Sequence, residues 1–237
     1  MQYSLLNRFR GTLGGAALGK TWRRPAGLAK PELPNPQGES PRRLLEEPAP
    51  GELPEVHRTT QLYAETLINF GDLNLTHLQR RVSTGGASSF LGALLPVILF
   101  FHEDEARLGQ KICQISSLWS ASLELQAGML AVAYAIAQAL REQLSPPTLI
   151  PHTVAYLRDV NVSLIHQLQQ VQGLLEQGAG LDRTLKLLTH QPPEVQSINR
   201  SVALAFYCFL STPEDFRLTL SRAVRTADQP QLAAMLA

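Results

Sequence analysis

Ser197-Ile198-Asn199-Arg200-Ser201-Val202-Ala203-Leu204-Ala205-Phe206-Tyr207-Cys208-Phe209-Leu210 carries no charge after Arg200 and reads as one buried helix. A helix with this much apolar surface has to be covered by neighbours, so the rest of the chain must supply the covering. Ser211 to Asp215 stops it and starts another. Thr212 is expected to cap, Pro213 suits the first helical position, and Glu214 and Asp215 complement the helix dipole. The next helix is expected over Phe216 to Arg225. Asp228-Gln229-Pro230-Gln231 then opens a third, cut off at Ala237.

Working outward, almost everything from Glu55 onward has helical spacing and no strand alternates convincingly, so the class is all-α. The expected helices are Val56 to Phe70, Leu75 to Val82 with Asn74 or Thr76 as cap, Phe90 to Phe101, and Ala106 to Ile115. One long helix follows over Leu118 to Leu144, and a short one over Leu181 to His190. Val154, Leu157, Asn161, Leu164, Leu168, Val171 and Leu175 form a heptad seam, read as a helix hairpin inside the domain or a dimer contact. Thr21 to Pro54 holds eight of the sixteen prolines and reads as a loop or linker. Residues 1–237 are therefore expected to form one domain interrupted at 21–54.

With 44% hydrophobic residues and 17% charged ones, the chain suits a compact soluble protein. A net charge of +1 argues against a polyanionic partner, so nucleic acid is not expected. Gly85 to Phe101 is uncharged but carries Pro96 and falls short of the roughly 20 apolar residues a span needs, so no membrane partner is expected either. Arg8, Arg10, Lys20, Arg23, Arg24 and Lys30 all precede the first acid, Glu32. That resembles a transit segment in charge, but a structural first helix over Tyr3 to Gly19 is the preferred reading. Gly11, Gly15 and Gly19 line one side of it, as tight helix packing or as the floor of a ligand site. Cys113 and Cys208 are expected to be buried thiols, consistent with a reducing, cytoplasmic setting. The acids following His102 are expected to serve a helix start rather than a metal.

Three stretches together resemble the ADP-ribosylglycohydrolase family, most closely a divergent cyanobacterial branch. Arg10 to Lys20 (RGTLGGAALGK) resembles the opening RGxxxGxAxGDAxG. His57 to Leu62 (HRTTQL) stands in place of TDDTQ(L/M). Ser201 to Ala237 resembles the closing segment that contains DTD. The resemblance implies a multi-helix all-α fold, and a further helical stretch past Ala237, so the chain is expected to be truncated there. In active members it implies two divalent cations, usually magnesium, held by the paired acids for cleavage of a glycosidic bond to ADP-ribose.

Carried over by position, the acids are replaced. Lys20 follows the last glycine of the first stretch. Arg58 and Thr59 take the places of the paired acids, with Thr60 retained. Gln229 and Gln231 take those of DTD, and Asp228, one residue out of register, forms a capping box with Gln231. A positive charge within about 4 Å opposes a divalent ion by several kcal/mol at an effective dielectric near 20. No metal, cofactor or catalytic residue is therefore expected, and Lys20, Arg58, Thr59, Thr60, Asp228, Gln229 and Gln231 are candidates for a vestigial pocket. The expected function is a degenerate, non-catalytic member that binds a nucleotide or ADP-ribose-like ligand or a protein partner. The alternatives are an active ADP-ribosyl hydrolase with an atypical site and a helical scaffold dimerising through Val154 to Leu175.

Overall fold

The computed structural model describes residues 4–21, 55–81, 93–157, 160, 162–189 and 198–226. Among these residues there are eleven helices and no strand. They are α1 (Leu5–Thr21), α2 (Glu55–Phe70), α3 (Leu75–Arg81), α4 (Leu95–Phe101), α5 (Glu105–Leu118) and α6 (Leu123–Leu140). Then come α7 (Pro146–Tyr156), α8 (Val162–Glu176), α9 (Leu181–Thr189), α10 (Ile198–Leu210) and α11 (Phe216–Thr226). The proline-rich segment 22–54 and the helix expected after Asp228 lie outside the described residues.

Two helices form the centre. α10 is buried without a break from Ser201 to Phe209, and α6 from Ala127 to Ala137. Val202 Cγ2 lies 3.3 Å from where a Cβ on Gly128 would stand, so the absence of a side chain there sets how closely α10 approaches α6. The other helices sheathe this pair. α8 packs along α10, α5 and α7 pack on α6, and α2 packs on α4, which itself contacts α5 and α6. α8 presents Leu164, Leu168, Val171 and Leu174 from a single stripe, the spacing of a helix covered on one face.

The long helix expected over 118–144 is two elements and a turn. α5 ends at Leu118, Ser120 takes φ 48°, and the Ala121 N–H donates to Ser116 O at 2.9 Å. Ser122 then caps α6, its side chain accepting from the Leu125 N–H at 3.2 Å. α6 closes in the same way at Glu142, φ 59°, with the Gln143 N–H on Gln138 O. Helices commonly end on a left-handed residue, usually glycine. Serine and glutamate hold that place here, and neither marks a boundary in the sequence.

The seam from Val154 to Leu175 is likewise not one helix. α7 stops at Tyr156 and α8 starts at Val162, with the Val160 N–H turning back onto Leu157 O. Leu157, Leu164, Leu168 and Val171 have no exposed surface, so the stripe offered to a dimer partner is already used inside the fold. Asn161 lies outside the described residues. A third correction concerns α11, whose cap is Asp215, accepting from the Leu218 N–H at 2.9 Å. Thr212 instead donates to Cys208 O and meets the Thr219 hydroxyl, and Pro213 sits in the turn ahead of the helix. Elsewhere Asn74 caps α3 as read, Asp104 among the acids at the start of α5 caps it, and neither cysteine is in a disulfide, Cys208 being buried as expected and Cys113 only half-buried.

The α2–α3 turn is tied to α5 by charge. Asp72 Oδ1 lies 2.6 Å from Lys111 Nζ and Oδ2 lies 3.4 Å from Arg107, and both cations stand over the Phe101 ring. Burial raises the Asp72 carboxyl, but hydrogen bonds from Lys111 and the Leu73 N–H and the charges of Lys111 and Arg107 outweigh it and hold it below the ordinary value. Such a group contributes stability above its unfolded pKa that is lost as pH falls through the folded one. Lys111 is buried, while Asp72 is partly open to water. Asp72→Asn should therefore cost about 2 kcal/mol at neutral pH. In urea melts the gap between wild type and variant should shrink as pH falls through the lowered folded-state pKa of Asp72, where its carboxyl becomes neutral as well.

Candidate functional site

The first stretch lies on α1, which is fastened at its N-terminal half. Arg8 donates through Nη1 to the Leu140 carbonyl at the end of α6, and its other terminal nitrogen lies 3.5 Å from Glu142. A cation at a helix C-terminus is favoured by the dipole and by the free carbonyls there. Phe9 packs edge-on against His102, ring centroids 5.4 Å apart, and the His102 Nδ1 is 2.9 Å from Leu99 O. Nothing lies within 4 Å of a Cβ built on Gly11 or Gly14, so close approach of another backbone does not explain glycine at 11. Lys20 falls in the last turn of α1, twelve residues past Arg8 and about 18 Å along the axis. Its side chain lies outside the described residues, as do the surroundings of Gly15 and Gly19.

The second stretch forms the start of α2. Arg58 is exposed, Thr59 is buried and Thr60 is half-buried. The helix presenting them is held firmly. Tyr63 has no exposed surface and accepts a hydrogen bond from Trp119 Nε1 at 2.9 Å. Burial pushes its hydroxyl up to about 12, against the opposing effect of that bond. Thr66 Oγ1 donates to Leu62 O at 2.8 Å, fixing the buried face one turn on. Asp228, Gln229 and Gln231 lie outside the described residues, so Arg58, Thr59 and Thr60 are the predicted site residues that the structure brings together.

From Arg58 to Leu62 this stretch contains no carboxylate. Farther along α2, Glu65 accepts from Gln61 Nε2 at 2.8 Å and lies 3.7 Å from Arg81. Among the described residues no three His, Cys, Asp or Glu side chains converge as a metal site would require. Hard divalent cations need several oxygen ligands, carboxylates foremost. An exposed guanidinium beside two threonines does not fit a magnesium pair. At its surface the turn presents a single exposed guanidinium, with Thr59 turned into the core. Arg8 was not legible as the anchor of this region, because its carbonyl partner is 132 residues away.

A family model described as ADP-ribosylglycohydrolase matches residues 57–237. That range contains the second and third stretches and begins after the first. No curated protein and no solved structure matches the chain. Because Arg58 is exposed, Arg58→Ala should leave unfolding stability within about 0.5 kcal/mol of wild type. Thermal and urea melts of the variant check this, and they establish it as a probe of binding free of folding effects.

Proposed function

Because the chain belongs to the ADP-ribosylglycohydrolase family, we propose that it is a divergent, cyanobacterial-type member that has exchanged metal-dependent hydrolysis for metal-independent binding of a nucleotide-type anion of the ADP-ribose class. The observation that carries the reading is Arg58, an exposed cation at the start of α2 where paired carboxylates stand in the family's motif. A guanidinium matches two phosphate oxygens at once, so one acid-to-Arg exchange turns a cation-binding position into an anion-binding one. Lys20 belongs to the same reading by its place in the first stretch. Half-buried Thr60 adds a hydroxyl on the same turn, and Gln229 and Gln231 supply amides suited to ribose hydroxyls. On this reading Lys20, Arg58, Thr59, Gln229 and Gln231, which replace the family's acids, offer neither a carboxylate metal ligand nor a carboxylate general base for glycosidic cleavage. The absence of a disulfide at Cys113 and Cys208 suits a reducing compartment, and we place the protein in the cytoplasm.

Isothermal titration with ADP-ribose tests the reading. Binding is expected with equal affinity in magnesium and in EDTA, and Arg58→Ala with Lys20→Ala should weaken it at least about tenfold through loss of two charge-assisted contacts. Turnover of an ADP-ribosylated substrate that EDTA abolishes would overturn it.

A further inference from the structure

α1 has apolar side chains on both sides, and the fold uses only one of them. Arg8 and Phe9 turn toward α6 and His102, yet none of residues 4–14 is buried. Leu6, Arg10 and Leu13 are spaced four and three apart, which puts them on one stripe of the helix. That stripe faces outward, with Leu6 57% and Leu13 46% exposed and Arg10 exposed between them. Six of the chain's 21 basic residues precede Glu32 and none of its 20 acidic ones does, so a chain of net charge +1 carries its positive excess at this end.

We infer that α1 is an interfacial arm that docks the protein on an anionic lipid surface through Leu6, Arg10 and Leu13. A basic helix with leucines on its outer stripe rests in the headgroup region, its leucines reaching the acyl boundary while arginine extends to the phosphates. The charge excludes the other occupants. A second copy would bring like charge against like charge across a two-fold contact. A nucleic acid would take the cations but has no use for two exposed leucines. The absence of a spanning stretch, which set the expectation of no membrane partner, does not bear on a helix that lies on the surface. Leu123–Leu140, the described helix long and apolar enough to cross a bilayer, is 78% buried in the core and contributes nothing to this contact.

The test is flotation of the full chain with phosphatidylcholine vesicles, with and without phosphatidylglycerol. Binding is expected with the anionic vesicles alone and should fall as salt is raised, because the attraction acts over a Debye length. Arg10→Glu reverses a charge at the interface and should weaken partitioning about tenfold or more. Leu6→Gln with Leu13→Gln should weaken it by a similar factor through loss of apolar burial. All three side chains are exposed, so unchanged circular-dichroism melts are expected to accompany the loss. Equal binding to neutral vesicles, no binding to either, or variants that bind as wild type would each overturn the inference. So would self-association by sedimentation, or capture of a duplex oligonucleotide, in a protein that ignores the vesicles.

Discussion

The contact between α6 and α10 at Gly128 is the constraint from which the arrangement of the other helices follows. Ile198 and Val202 lean into the space a side chain at 128 would fill, and the alanines of α6 keep its surface thin on the remaining sides. Two helices joined so closely still expose apolar residues in every other direction. Each buried CH2 is worth about 0.8 kcal/mol, so leaving either helix uncovered would cost more than the marginal stability of a domain. The amphipathic helices α2, α5 and α8 are the answer to that demand. Their single apolar stripes are placed by it, and the short α3, α4 and α7 bridge between them.

That logic was legible in the sequence where apolar content was continuous and illegible where a boundary rested on backbone geometry. The unbroken run through Phe209 named α10 correctly, while α6 lay hidden within the longer helix expected over Leu118 to Leu144. Its ends were missed because Ser120 and Glu142 adopt left-handed conformations without glycine. The seam over Val154 to Leu175 had the right period and the wrong continuity. Leu157 stays in the core while the chain turns beneath it, and apolar spacing does not register such a turn. Thr212 and Asp215 are both good caps by type. The choice fell to Asp215 because Thr212 was already engaged with Cys208 and Thr219.

The site was legible to a different degree. A helix start over Arg58 to Thr60 followed from spacing alone, and the structure sets these three on one turn of α2. The anchoring of α1 had no local signal, since Arg8 reaches a carbonyl and a carboxylate far along the chain. The glycines of α1 left packing and a ligand floor both open, and the open space at Gly11 removes close packing as the reason for that one.

Family membership fixes the scaffold, and the residues on it decide the chemistry. Their informativeness depends on burial. Thr59 is buried, so packing alone accounts for a small side chain there. Arg58 is exposed on a helix already secured by Tyr63, Trp119 and Thr66, none of which depends on it. The fold would accept an aspartate at 58 as readily as an arginine. On the proposed reading an arginine there serves an anion, because its charge opposes a magnesium ion at the same place.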